Sequence, residues 1–121
     1  LAASPAGKIL PCHAAESLEG MAFPNVREVS LEQAWTHSAA FNAYRGTAWM
    51  PPPCQGCARA EVDWGGCRCQ AFALTGDAAA TDPACALSLR HHLLADAVRD
   101  AAAAGADFTY REMGRVPGGV A

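Results

Sequence analysis

Six cysteines in 121 residues define the chemistry to be explained: Cys12, Cys54, Cys57, Cys67, Cys69 and Cys85. Two residues separate Cys54 from Cys57, a spacing that lets both thiolates turn toward one metal centre. Only Arg68 separates Cys67 from Cys69, which is too tight for each sulfur to reach its own distant partner comfortably. An even cysteine count also permits a disulfide framework. Disulfides are rare in reducing cytosol, however, and nothing else in the composition suggests secretion. Clustered thiolates therefore point first to a metal or an iron–sulfur cluster, with a disulfide-stapled binding domain and unrelated thiols as the alternatives. Six thiolates exceed the needs of one four-ligand site, so two centres are expected, either of which could recruit a carboxylate. A zinc module is the other metal reading, with Cys54, Cys57, Cys67 and either Cys69 or Cys85 as a tetrahedral set.

The elements that must position these thiols are short. Ser4-Pro5-Ala6-Gly7 is a turn, since Pro presets φ and Gly permits φ > 0. Lys8-Ile9-Leu10 follows as a strand leading to Pro11-Cys12, and its partner before the turn is almost wholly missing. Residues 13–29 read as irregular. Ser30 with Gln33 three residues on forms the capping-box pattern of a helix start. Leu31, Ala34, Trp35 and Ser38 share a face at helical spacing, Ala39 to Tyr44 can continue the helix, and Gly46 would stop it. Trp35 and Phe41 read as core. Met50-Pro51-Pro52-Pro53 breaks regular structure and delivers the chain stiffly to Cys54. Residues 54–69 read as a loop, Gln70–Thr75 as a short helix ended by Gly76, and Thr81-Asp82-Pro83 as a turn into Cys85. A second helix is predicted over Ser88–Ala104, with Leu89, Leu93, Ala97, Val98 and Ala101 on one face and Gly105 as its stop. Residues 106–121 read as a tail. The fold class this implies is α+β: small, loop-rich, and organised around its prosthetic groups rather than a large core.

Composition excludes several functions. The formal net charge is −3 with no block of like charge, so there is no basic stripe for nucleic acid. Apolar runs are short and broken by Asp, Arg or Pro, which argues against a membrane span. The start, Leu1-Ala2-Ala3-Ser4-Pro5, lacks an initiator Met and the features of a secretory leader. The chain is accordingly expected to be a fragment of a cytoplasmic protein.

The cysteine spacing resembles the SPASM domains of radical S-adenosylmethionine enzymes, whose pattern is C-x(9–15)-G-x4-C, a gap, C-x2-C-x5-C-x3-C, a gap, then C. Gly7-x4-Cys12 matches the second half of the first segment, and its opening Cys would lie before Leu1. Cys54-x2-Cys57 matches the next pair; Asp63 stands at the following Cys position, Cys67 three residues beyond it, and Cys85 at the last. Asp63 and the Cys67-Arg68-Cys69 run, with Tyr44-Arg45-Gly46-Thr47-x-Trp49-Met50 and Thr81-Asp82-Pro83-Ala84-Cys85, are similar to one subgroup in particular, the peptide cyclases of pyrroloquinoline quinone synthesis. The resemblance covers roughly residues 3–92, which marks 1–92 as the cluster domain and leaves 93–121 as a C-terminal helix and tail.

The resemblance implies two auxiliary iron–sulfur clusters, of 4Fe-4S or 2Fe-2S type. Cys54, Cys57, Asp63 and Cys85 would hold the outer one. Cys12, Cys67 and Cys69, with the upstream Cys, would hold the one nearer the enzyme's own radical barrel. That barrel would carry S-adenosylmethionine on a C-x3-C-x2-C loop. No such loop occurs here, so no catalytic residue of the radical step is expected in this chain. The parent enzyme would join a Glu and a Tyr side chain of a precursor peptide (PqqA), delivered by a small peptide chaperone (PqqD).

A carboxylate donates less charge to iron than a thiolate, so Asp63 as ligand would set its cluster's potential apart; the alternative is a loop Asp capping a turn. His13, His91 and His92 read as hydrogen-bonding or solvated side chains rather than ligands. Arg68 is placed to offset thiolate charge or to donate to sulfur.

Overall fold

A computed structural model describes residues 1–105. The turn at Ser4–Gly7 closes as the residues require. Gly7 has φ 84°, its N–H donates to the Ser4 carbonyl (2.9 Å), and Ser4 N–H donates to the Lys8 carbonyl (2.9 Å). β1 (Ala2–Ala3) pairs antiparallel with β2 (Ile9–Leu10), Ala2 opposite Leu10 and Ala3 opposite Ile9. The missing partner strand is thus present, though only two residues long. The irregular 13–29 region also does more than connect. Ile9 N–H donates to the Pro24 carbonyl and Val26 N–H to the Gly7 carbonyl, so residues 24–26 lie along the free edge of β2. Within that region Ala15–Ser17 makes one 3₁₀ turn.

α1 (Leu31–His37) begins at the predicted capping box: Ser30 Oγ accepts from Gln33 N–H (3.1 Å) and Gln33 Oε1 accepts from Ser30 N–H (3.0 Å). The helix does not continue to Tyr44. Ser38 is extended (φ −68°, ψ 134°), and a separate turn, α2 (Ala39–Asn42), follows. The break is stabilised by side chains that take over the freed carbonyls. Asn42 Nδ2 donates to Thr36 O (3.0 Å) and Arg45 Nη2 to Trp35 O (2.8 Å). Thr36 meanwhile turns its hydroxyl back to Glu32 O (2.6 Å), a bond that competes with regular helix.

The break sets the core. Ile9, Ala34 and Phe41 are buried together, with Val29 packed against them, joining hairpin, α1 and α2. Phe41 is core as expected, but Trp35 is half exposed, edge-on to Phe41 (5.7 Å) under the Arg45 guanidinium (5.1 Å). One small apolar knot therefore fixes the hairpin that leads to Cys12.

The second half is built from turns. Cys54–Gly56 forms a 3₁₀ turn and α3 (Ala60–Asp63) one short helical turn where sequence suggested plain loop. Trp64, Gly65 and Gly66 all have positive φ (53°, 78°, 80°), reversing the chain between Asp63 and Cys67. α4 (Arg68–Thr75) starts two residues earlier than expected and ends at Gly76 (φ 74°) as predicted. α5 (His92–Ala103) starts four residues later than expected. Leu89, assigned to its apolar face, precedes it and is almost fully exposed, and Val98 is largely exposed. The architecture is α+β and loop-rich, as expected. Residues 106–121, read from sequence as a tail, lie outside the described residues. No helix among the described residues is long and apolar enough to cross a membrane.

Candidate metal centre

A cavity of about 180 Å³ opens where the second-half turns meet, and its wall includes Cys54, Cys57, Asp63 and Cys85. These four come from four local devices. Pro51–Pro53 deliver Cys54 into its 3₁₀ turn, and Cys57 ends that turn in an extended conformation. Asp63 is the last residue of α3. Cys85 closes the Thr81–Cys85 turn, its N–H donating to Asp82 O (2.9 Å). The sulfurs already have polar neighbours: Arg59 N–H donates to Cys57 Sγ (3.4 Å), and Cys54 Sγ lies 3.6 Å from Thr81 Oγ1. Asp63 Oδ1 accepts from Gly65 N–H (3.1 Å), while Oδ2 has only a loose Arg59 contact at 3.9 Å. Asp63 therefore caps a turn and also faces the cavity, leaving one oxygen weakly engaged.

Cys12, Cys67 and Cys69 gather separately. Cys12 follows the hairpin, Cys67 stands immediately before α4, and Cys69 lies in its first turn. Cys12 Sγ is 3.6 Å from Cys69 Sγ. A disulfide requires about 2.05 Å, and none of the six cysteines is paired in a disulfide. Burial, reinforced by hydrogen bonding and charge from Cys12 and Cys67, pushes the Cys69 thiol up to about 11.

The donor chemistry of both sets suits iron–sulfur clusters, soft thiolates joined in the first set by a carboxylate, and the first set lines a space rather than meeting at a point. No three His, Cys, Asp or Glu side chains among the described residues converge closely enough to hold a single ion. A lone zinc ion needs four ligands about 2.3 Å from one point, whereas a cluster spreads its ligands over several irons.

Arg68 lies between Cys67 and Cys69 but donates to neither sulfur. Its guanidinium is spent on backbone carbonyls, Ala78 (3.0 Å), Ala80 (2.8 Å), Gly66 (3.4 Å) and Gly65, and it stacks on Trp49 (4.6 Å). Burial lowers its pKa, opposed by Asp82, then Cys54, Tyr44 and Cys67. It ties the 65–66 and 78–80 segments together while bringing positive charge near both thiol sets. His91 Nδ1 pairs with the Pro83 carbonyl (2.8 Å), and His13 and His92 are exposed.

From sequence Asp82 stood as a turn residue and as part of the Thr81–Cys85 run, with no role at the site. It is 4% exposed and lines the cavity, and its carboxylate accepts from Cys67 N–H (2.7 Å), Gln70 Nε2 (2.8 Å) and Ala84 N–H (2.9 Å). Its sequence signals were the Asp-Pro turn ahead of Cys85 and its place in the Thr81-Asp82-Pro83-Ala84-Cys85 run.

Residues 1–58 match the SPASM family, described as an iron–sulfur cluster-binding domain. Residues 1–58, just under half of the chain, are thus similar to the SPASM iron–sulfur cluster-binding domains, the class to which the cysteine spacing pointed. That match contains Cys12, Cys54 and Cys57. Over a longer span the chain is similar to proteins named PqqA peptide cyclase. It is 59% identical over 114 residues to that of Granulibacter bethesdensis, covering 94% of this chain and 30% of that protein. It is 57% identical over 116 residues to that of Methylobacterium nodulans (94% and 31%) and 58% identical over 110 to that of Rhodopseudomonas palustris (89% and 29%). The chain spans about 30% of the length of these relatives. An alignment of 114 residues extends past His92, beyond the reach of the motif resemblance.

Proposed function

We propose that this chain is the auxiliary iron–sulfur domain of a radical S-adenosylmethionine peptide cyclase. Residues 1–92 form the cluster domain, and 93–121 follow it as a C-terminal extension. Cys54, Cys57, Asp63 and Cys85 are the ligands of the outer cluster. Cys12, Cys67 and Cys69 are ligands of the second, with one more from outside the described residues. The observation that carries this reading is one cavity bordered by three thiols and the Asp63 carboxylate, drawn from segments up to 31 positions apart, with the hydrogen-bonded Asp82 behind them. The similarity to PqqA peptide cyclases supports the same reading.

When bound, such clusters, as 4Fe-4S or 2Fe-2S forms, supply one-electron chemistry. The chain's own residues hold the ligands apart, shield the cavity and tune it. Arg59 N–H points at the Cys57 sulfur, and Arg68 places a cation near both sets. Hydrogen bonds to sulfur and nearby charge are the levers that set cluster potential. The full-length protein is proposed to bind S-adenosylmethionine on its barrel and to join Glu and Tyr side chains of the PqqA peptide by a carbon–carbon bond. A PqqD-type chaperone would deliver that peptide in the cytoplasm.

Anaerobic iron and acid-labile sulfide analysis with a visible spectrum tests the proposal on the full-length protein. The Cys54→Ala/Cys57→Ala and Cys12→Ala/Cys69→Ala variants are each expected to lose a defined part of the iron and the brown chromophore. Unchanged iron in either variant removes that ligand set. Colourless wild-type protein with stoichiometric zinc replaces the cluster reading with a structural zinc module.

A further inference from the structure

The two thiol sets meet through one buried side chain. Asp82 Oδ2 accepts from the backbone N–H of Cys67, the residue from which α4 starts, and Gln70 Nε2 from the next turn binds Oδ1. The same Oδ1 accepts from Ala84 N–H, and the Asp82 carbonyl accepts from Cys85 N–H, which shapes the turn presenting Cys85 to the cavity. Gly66 abuts the carboxylate from the other side, where a Cβ would lie 2.5 Å from Oδ2. A carboxylate so buried is retained in native structures when it is hydrogen-bonded, and here the three donors come from both ligand-bearing segments.

We infer that Asp82 is a positioning residue common to both clusters, its one carboxylate fixing the start of α4, which carries Cys67 and Cys69, and the turn that carries Cys85. The inference rests on the cluster reading above and adds coupling to it. Asp82 has two effects. It fixes two ligand segments relative to each other, so losing it loosens both sites at once. It also places a buried negative charge between two anionic centres, compensated in part by the neighbouring Arg68. A buried charge acts through low dielectric and reaches both centres.

The test uses the full-length, cluster-loaded protein with Asp82→Asn, which keeps the size and one acceptor but removes the charge and sets an amide donor against the Cys67 or Ala84 N–H. Iron release to a chelator is expected to quicken by about tenfold or more, the usual scale for loss of a residue orienting metal ligands. The reduction potentials of both auxiliary clusters are expected to rise, since removing negative charge favours reduction. Wild-type release rates and potentials, or a change confined to one cluster, overturn the inference while leaving the cluster reading standing. Wild-type protein that takes up no iron or sulfide defeats the cluster reading itself. If Asp82→Asn gives no soluble protein, Gln70→Ala decides. It removes one anchor of the same carboxylate, so faster iron loss from both sites supports the coupling and loss at the wild-type rate overturns it.

Discussion

Cys12 Sγ lies 3.6 Å from Cys69 Sγ across 57 positions of sequence, held there by the hairpin on one side and the first turn of α4 on the other. Burial disfavours the Cys69 thiolate, and two thiols this close add to the resistance. The Cys69 thiol is accordingly raised to about 11 in the metal-free protein. A raised thiol pKa means the fold favours the protonated form. That contribution to stability is intact below the ordinary thiol range and is lost as pH rises through about 11. In metal-free protein, the pH profile of Cys69 alkylation should therefore have its midpoint near 11, and at pH 9 Cys69 should react more slowly than an unperturbed thiol. Mass-spectrometric mapping after timed iodoacetamide treatment measures this. A midpoint near 9 would mean that the pair separates in solution.

Asp63→Cys should retain the outer cluster and lower its reduction potential, because thiolate donates more charge to iron than carboxylate does. The variant also loses the Asp63 Oδ1 bond to Gly65 N–H, so some loss of stability accompanies the shift. Electron paramagnetic resonance with redox titration separates the two effects. A stability loss with wild-type spectrum and potential would identify Asp63 as the cap of a turn and nothing more.

The parts of this fold written locally were legible. Ser30 with Gln33, the Gly7 turn and the Gly76 stop depend on neighbours within four residues, and each is found where the residues require it. What escaped was set by distant partners. The break at Ser38 is held by Asn42 and Arg45 reaching back to carbonyls of α1, so no helical periodicity could reveal it. Trp35 fell on the predicted core face but finds Arg45 rather than a covering layer. Arg68 was placed correctly between two thiols, yet its donors go to carbonyls ten and twelve residues away. Asp82 escaped for the same reason, since its bond to Cys67 spans 15 positions. Spacing nominated the six cysteines and the family resemblance added Asp63; which of them share a cavity is a property of these long-range bonds.

Arg68→Lys should destabilise the domain by about 2 kcal/mol, since a single ammonium cannot reproduce a fork that reaches four carbonyls while stacking on Trp49. Ser30→Ala, which removes one half of the capping box, should cost about 1 kcal/mol. Denaturant midpoints of the cluster-loaded protein measure both. Arg68→Lys should also speed iron loss, because the segments it ties together flank the cavity, whereas Ser30→Ala should leave iron retention unchanged. Equal iron retention in the two variants would confine Arg68 to a structural role.

Gly66→Ala and Gly76→Ala form a matched pair. Both glycines have positive φ (80° and 74°), so an added Cβ costs each roughly 1–2 kcal/mol in backbone strain. Their surroundings differ. A Cβ at Gly76 meets nothing within 4 Å, whereas one at Gly66 lies 2.5 Å from Oδ2 and 2.7 Å from Cβ of Asp82. That overlap cannot be relieved by a flexible chain end, because Asp82 is buried and anchored by three donors. Gly66→Ala should therefore be the more destabilising by at least about 1 kcal/mol, the low end of an overpacking penalty. It alone should release iron faster, since it displaces the carboxylate that Cys67 and the Cys85 turn share. If the two variants match in both stability and iron retention, Gly66 does not press on Asp82, and the carboxylate has room to move between the ligand segments.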